Sequence, residues 1–265
     1  MDPELVATSD ALREELVPVP ADAADVCPLC RSGRTRPTRL CFSCERTSGH
    51  VAFPCLGIVP ISYYTTPSPL RERMHDFKEH ESEEVRAIES RNVASIASRY
   101  VAEHTDRLAA VFGPWDGTVA VPSSHHRNSS ALQTAIETNF PGPFAPFERP
   151  LTHASGSRMG FNQADERGFV LDLHCDVEGR RYMLIDDTFT TGARVQSAHH
   201  ALVAAGATVP VVLIVTRKIN PDAKYGTAQL WDRQSRVPFN FQAPQWWDTH
   251  SNDSKGGSGE CIREG

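Results

Sequence analysis

The sequence predicts an α/β fold: a mostly parallel open sheet covered on both faces, preceded by a small N-terminal zinc-binding module. Apolar runs of strand length (Thr118–Pro122, Arg181–Asp186, Val209–Val215) alternate with segments of helical periodicity. Their continuous apolar character suits strands buried on both faces, as in parallel sheets. Four cysteines, Cys27, Cys30, Cys41 and Cys44, form two C-x-x-C pairs near the N-terminus. A chain of 265 residues, 40% hydrophobic and 23% charged, has the material for one or two such domains with a packed core.

Residues 1–24 are acidic and then proline-bearing, and read as a loose arm or a short helix. Residues 25–56 hold the cysteine module, and residues 57–216 hold the sheet domain. Leu70 to Lys78 suits an amphipathic helix with Leu70, Met74 and Phe77 on one face. Glu83 to Phe112 lacks proline and glycine and repeats apolar residues at helical spacing. It is expected to be a long core-facing helix, with room for one break, ended by Gly113 and Pro114. Thr118–Pro122 is a buried strand, Ser129–Thr138 a helix and Phe147–Leu151 a second strand. Gly168–Leu173 and Arg181–Asp186 are strands linked through a turn at Glu178–Gly179. Arg194–Ala205 is a helix with Val195, Ala198, Leu202 and Ala205 inward, and Val209–Val215 is the next strand. Residues 217–250 form an aromatic extension with Trp231, Trp246 and Trp247. Residues 251–265 are polar and glycine-rich, the composition of a disordered tail.

Seven cysteines, an odd number, do not suit a disulfide framework. Two knuckles, each offering two thiolates from a tight turn, complete a tetrahedral site with Zn–S of about 2.3 Å. Pro28 and Gly33 supply turn chemistry at the first knuckle. A redox pair would need a βαβ context that is missing here, and plain buried thiols are the other alternative. Cys55 reads as a buried thiol and His50 as a surface imidazole. Arg31, Arg34, Arg36 and Arg39 lie between the knuckles. They suit either a solvated loop, the favoured reading, or a nucleic-acid contact. The net charge of −6 excludes non-specific coating of nucleic acid but leaves room for such a local patch. Val203–Thr216, the most apolar stretch, is broken by Gly206 and Pro210 and is too short to span a bilayer. The N-terminus lacks the basic-then-apolar order of a secretory signal, so a cytoplasmic protein is expected.

The chemistry concentrates in Leu184-Ile-Asp186-Asp187-Thr-Phe-Thr190-Thr191-Gly192-Ala193-Arg194. An apolar strand delivers two acids at its carboxyl end, where ligands collect in open α/β sheets. The turn that follows opens a helix, whose first amides suit a phosphate. Thr190 and Thr191 add hydroxyls, and Gly192 permits close approach. The acids would repel that phosphate and should face another part of the ligand. A ribose diol, bound directly or through Mg²⁺, fits them. A receiver-type acid cluster and an ordinary strand–helix connection are the alternatives.

This segment resembles the 5-phosphoribosyl-1-pyrophosphate (PRPP) motif of type I phosphoribosyltransferases. Twin zinc knuckles ahead of such a domain resemble the ComF family, linked to DNA uptake in competent bacteria. Tyr63 with Leu70…Phe77-Lys78, Ala120-Val121-Pro122, and Arg158…Phe161-Asn162-Gln163 followed by Gly168-Phe169-Val170 are similar to that family's successive motifs. The resemblance covers residues 25–216. It departs from the family in Arg194, which stands where a third hydroxyl is usual, and in Ser123–Arg127, which lacks the usual Arg-Gly-Phe-Asn run.

The resemblance implies a sheet of the type I phosphoribosyltransferase kind, structural zinc on the four cysteines, and Mg²⁺ with PRPP or a related phosphosugar or nucleotide. Asp186 and Asp187 would be the catalytic acids. Thr190, Thr191, Gly192 and Ala193 would hold the 5-phosphate beside Arg194, with Arg127 and Arg158 as pyrophosphate contacts. His125, His126 and His153 are candidate contacts, though a lone histidine is more often an ordinary surface or core residue, and Lys78 reads either as an anion ligand or as a solvated helix end. Three functions follow: a phosphoribosyltransferase acting on a base or amine, a non-catalytic PRPP- or nucleotide-binding factor in DNA uptake or regulation, and a DNA-processing partner that uses the sheet as scaffold. Single-stranded DNA or DNA-uptake proteins are the macromolecular partners implied. A self-contained zinc module is expected to unfold on chelation while sparing the sugar site.

Overall fold

The computed structural model describes residues 1–20, 25–34, 40–123, 129–222 and 227–247. Its centre is a six-stranded sheet. In chain order the strands are β1 (Val17–Pro18), β2 (Val59–Tyr64), β3 (Gly117–Ala120), β4 (Phe147–Glu148), β7 (Arg181–Phe189) and β8 (Thr208–Lys218). Their spatial order is β1-β2-β8-β7-β3-β4, with every pairing parallel except β1 on β2. The expected α/β architecture with a mostly parallel sheet is present, and the two border strands have only two residues each.

Side chains alternate across the long strands, so each face has its own core. Met183 and Ile185 of β7, with Val211, Leu213 and Val215 of β8, face one helical layer. That layer contains α1 (Pro3–Asp10), α3 (Pro69–Glu79), α4 (Glu83–Phe112) and α5 (Ala131–Asn139). Tyr182, Leu184, Val212 and Ile214 face the other way, onto α6 (Ala193–Ala204) and the cysteine module. Helix starts follow the side-chain chemistry of their caps. Ser68, Ser82 and Ser130 accept from Arg71, Val85 and Gln133 N–H groups, respectively. α4 runs unbroken for 30 residues, about 45 Å at 1.5 Å per residue. Gly113, with φ of 96°, ends it.

Of the two readings of residues 1–24, a loose arm or a short helix, the described part shows the helix, α1. α1 packs on α4 through buried Leu5, and the Arg73 guanidinium on α3 ties Glu15 (2.7 Å) to Glu89 on α4 (2.9 Å). The strand expected over Phe147–Leu151 divides at Arg149-Pro150. β4 joins the sheet, while β5 (Leu151–His153) leaves it and pairs antiparallel with β6 (Phe169–Leu171). Proline lacks the N–H that would continue the ladder. The β6 run therefore pairs with an earlier strand rather than with the one that follows it. The cysteine module contains α2 (Phe42–Ser48) and has no separate core. Leu29, Cys55 and Ile58 pack in one cluster with Leu184, Val195 and Ile214. Cys55 is the buried thiol expected, pushed up to about 12 by burial.

The aromatic extension contains α7 (Ala228–Gln234) and wraps back across α4. Trp247 is fully buried, and its Nε1–H donates to Tyr100 Oη at 3.2 Å. The tail 251–265 lies outside the described residues. Among the described residues no helix is long and apolar enough to cross a membrane.

Candidate functional site

β7 lies inside the sheet with β8 and β3 on either side, so its carboxyl end opens at the middle of the sheet edge. β7 runs on to Phe189, past the end expected at Asp186, so Asp186 and Asp187 lie in its last half. They are only 3% and 6% exposed, yet both line a cleft of about 520 Å³. The same cleft is lined by Thr190, Thr191, Gly192, Ala193 and Arg194, and across it by His153 and Met159–Phe161 from the segment around the β5–β6 hairpin. Gly192 is the cap residue of α6 with φ of 90°, a left-handed conformation that glycine adopts without strain. A Cβ there would also run into the Phe189 ring. The Thr190 and Thr191 hydroxyls make no hydrogen bond to the described residues. The first amides of α6 have no carbonyl of their own helix to meet.

Each acid is matched to a cation. Lys78, from the last turn of α3, forms an ion pair with Asp187 Oδ2. Arg194 Nη2 lies 3.6 Å from Asp186 Oδ1 and donates to Pro122 O at 2.9 Å. Its guanidinium thus reaches back toward the end of β3, away from the turn at Thr190–Gly192. Burial pushes the Asp186 carboxyl up to about 6, and the neighbouring Asp187 charge adds to this, while Arg194 and Lys78 oppose it. Asp186 in turn raises Arg194.

The four cysteines form the second constellation. Their Sγ atoms all lie within 4.8 Å of one another, and Cys30 and Cys41 are 3.7 Å apart. A tetrahedron with metal–sulfur bonds of about 2.3 Å has sulfur–sulfur edges of about 3.8 Å. The cluster can therefore hold a metal ion such as zinc. Burial opposes ionisation of Cys30, but hydrogen bonds from Cys27, Cys41 and Cys44, together with the Arg217 charge, hold its thiol well below the usual range. Cys41 and Cys44 are raised, chiefly because each donates to Cys27 and Cys30. A metal resolves that conflict by taking lone pairs from all four sulfurs.

Two residues without a sequence signal join the constellations. Arg217, at the end of β8 and 5% exposed, donates through Nη1 to Phe189 O and Thr190 O, each at 2.9 Å. Its Nη2 donates to Cys30 Sγ at 3.5 Å. Thr47 on α2 shares its one hydroxyl hydrogen between Ser43 O at 2.9 Å and Thr191 O at 3.4 Å.

The structure thus brings Asp186, Asp187, Thr190, Thr191, Gly192, Ala193 and Arg194 to one cleft, and Cys27, Cys30, Cys41 and Cys44 to one cluster. Arg158 does not line the cleft. It lines a neighbouring hollow with Asp165, whose carboxylate accepts from its N–H at 2.7 Å. Lys78 is neither a solvated helix end nor a free anion ligand, because Asp187 engages it. His153 lines the cleft edge-on to Phe169. Arg31 is not part of a solvated basic loop. It is 8% exposed, stacks on Trp246 at 4.7 Å and donates to Pro20 O. Arg36, Arg39, Arg127, His125 and His126 lie outside the described residues. No protein-family profile and no curated protein sequence matches this chain.

Proposed function

We propose that this chain is a ComF-like phosphoribosyltransferase-type protein of the cytoplasm that binds PRPP or a related phosphorylated ribose. The observation that supports this reading is the shared cleft, lined together by the twin acids of β7 and the adjoining Thr190–Gly192 turn. In this reading the acids face the sugar and the turn takes its 5-phosphate. The turn offers the parts a phosphate needs: backbone amides at a helix start, two hydroxyls without partners among the described residues, and a glycine that leaves room. Asp186 and Asp187 accept from the ribose diol. They are also the donors that would hold Mg²⁺. Because Lys78 and Arg194 already neutralise them, metal binding is expected to depend on oxygens contributed by the pyrophosphate. Arg194 sits between Asp186 and the end of β3, where a fixed cation suits the pyrophosphate itself. The ion of the cysteine cluster is zinc in this reading, held as a closed structural site.

Transfer, where it occurs, breaks the bond from the anomeric carbon to pyrophosphate and forms one to an incoming base or amine. The protein's part is to hold both ends of the sugar and stabilise the departing pyrophosphate. Titration calorimetry with PRPP and Mg²⁺ at two temperatures tests binding. We expect saturable heat with the wild type and none with Asp187→Asn. Absence of heat from the wild type at both temperatures overturns the reading. Release of pyrophosphate in the presence of a panel of bases and amines then separates a transferase from a binding factor.

A further inference from the structure

We infer that the cysteine-held ion is a working part of the phosphate-binding turn, coupled to it by Arg217 acting as a positioning residue. The inference rests on the reading of that turn as an anion site.

The carbonyls of Phe189, Thr190 and Thr191 are all held by side chains from outside the turn. Arg217 holds the first two, and Thr47 of the cysteine module meets the third at 3.4 Å through the longer branch of a hydroxyl hydrogen that it shares with Ser43 O. In a trans peptide the C=O of one residue and the N–H of the next point in opposite directions. Fixing these three carbonyls toward Arg217 and the module therefore directs the N–H groups of Thr190, Thr191 and Gly192 the other way, toward the cleft. Three successive amides turned to one side make an anion cradle. The cradle is thus built from behind.

Arg217 can do this because its fork is divided. Nη1 serves the two carbonyls of the turn and Lys218 O of its own strand, with two hydrogens shared among three oxygens, while Nη2 serves Cys30 Sγ. The guanidinium also lies 5.1 Å from the centroid of the Phe189 ring, the ring that leaves room for nothing larger than glycine at position 192. A divalent ion on four thiolates carries a net charge of −2, and a guanidinium buried beside it is its natural counter-charge. When the ion leaves, the sulfurs no longer need to converge, and Arg217 loses the anion that fixes one side of its fork. A third tie runs the same way. The Gln196 side chain, in the first turn of α6, accepts from Cys55 N–H at 2.8 Å and donates to Cys55 O at 3.2 Å. The expectation that chelation spares the sugar site therefore gives way to its opposite.

Hydrogen exchange on the full chain tests this without any sugar ligand. With zinc bound, the amides of Gln196 and Cys55, which donate to Gly192 O and to Gln196 Oε1 at 2.8 Å each, should be protected in the wild type. Stripping the zinc with a chelator, with circular dichroism showing the sheet domain still folded, should speed their exchange at least about tenfold, the scale of a lost charge-assisted hydrogen bond. Zinc-loaded Arg217→Met should show the same acceleration and release zinc faster to a competing chelator. Arg217→Lys keeps the charge but not the fork. It should recover zinc retention without recovering protection of these amides, a split that a purely structural role does not produce. PRPP affinity measured on the same samples should fall with protection. Unchanged exchange at Gln196 and Cys55 in both the folded zinc-free protein and zinc-loaded Arg217→Met overturns the coupling. If the wild type binds no PRPP while exchange still follows zinc and Arg217, the sugar assignment fails and the coupling stands.

Discussion

Asp186 illustrates how a buried carboxyl burdens the fold that carries it. Its carboxyl ordinarily titrates near 3.8 and is pushed up to about 6, chiefly by burial. Between these values the folded chain holds a proton that the unfolded chain has released, so stability falls as pH rises through this window. The penalty is complete above about pH 6. It is on the order of 3 kcal/mol for a shift of this size. Asp186→Asn should therefore be more stable than the wild type at pH 7.5, and the difference should shrink toward pH 4. Urea denaturation across that range checks it, and a constant difference contradicts the burial account. The acids themselves were legible in the sequence because a strand end and a turn are local features. Their cations were not. Lys78 lies more than a hundred residues from Asp187, and only the packing of α3 brings its amine there. Arg31 misled for the converse reason, since its position between cysteines says nothing of the Trp246 ring that covers it.

At the scale of elements, the unit that matters is β7, its turn and α6. The turn can be this tight because Gly192 takes φ of 90° beside the Phe189 ring. Gly192→Ala adds both a left-handed alanine and a steric conflict, and should cost about 1–3 kcal/mol. It should also weaken PRPP binding, since the amides of this turn are the proposed phosphate donors. Thermal denaturation and calorimetry measure the two effects, and a variant equal to wild type in both contradicts the assigned geometry. Periodicity located α3, α4, α6 and the long strands well, because each buries a regular stripe. It failed over Phe147–Leu151, where Pro150 diverts a continuous apolar run out of the sheet into a hairpin. Apolar content alone does not distinguish one strand from two.

Across the whole molecule, segments that the sequence separates share their interiors. Trp247 is buried against α4, edge-on to His104 at 5.7 Å and beneath the Arg107 guanidinium at 5.4 Å. Trp247→Ala should cost about 3–5 kcal/mol, as for other fully buried large aromatic side chains. A urea midpoint like that of the wild type would contradict a structural role for the extension. Composition marked this stretch only as aromatic, because its partners, Tyr100 and His104, belong to a helix more than a hundred residues earlier. The same applies to the cysteine module, whose Leu29 and Cys55 complete the interior beneath α6.

The borders of the sheet have a separate consequence. One border is Val17–Pro18 and the other is Phe147–Glu148, each two residues long and next to or containing a proline that cannot donate. A neighbouring polypeptide seeking to extend the ladder meets little backbone to pair with on either flank. Short, proline-marked margins of this kind guard against fibrillar self-association, which lets the apolar interior strands stay long without endangering colloidal behaviour at high concentration.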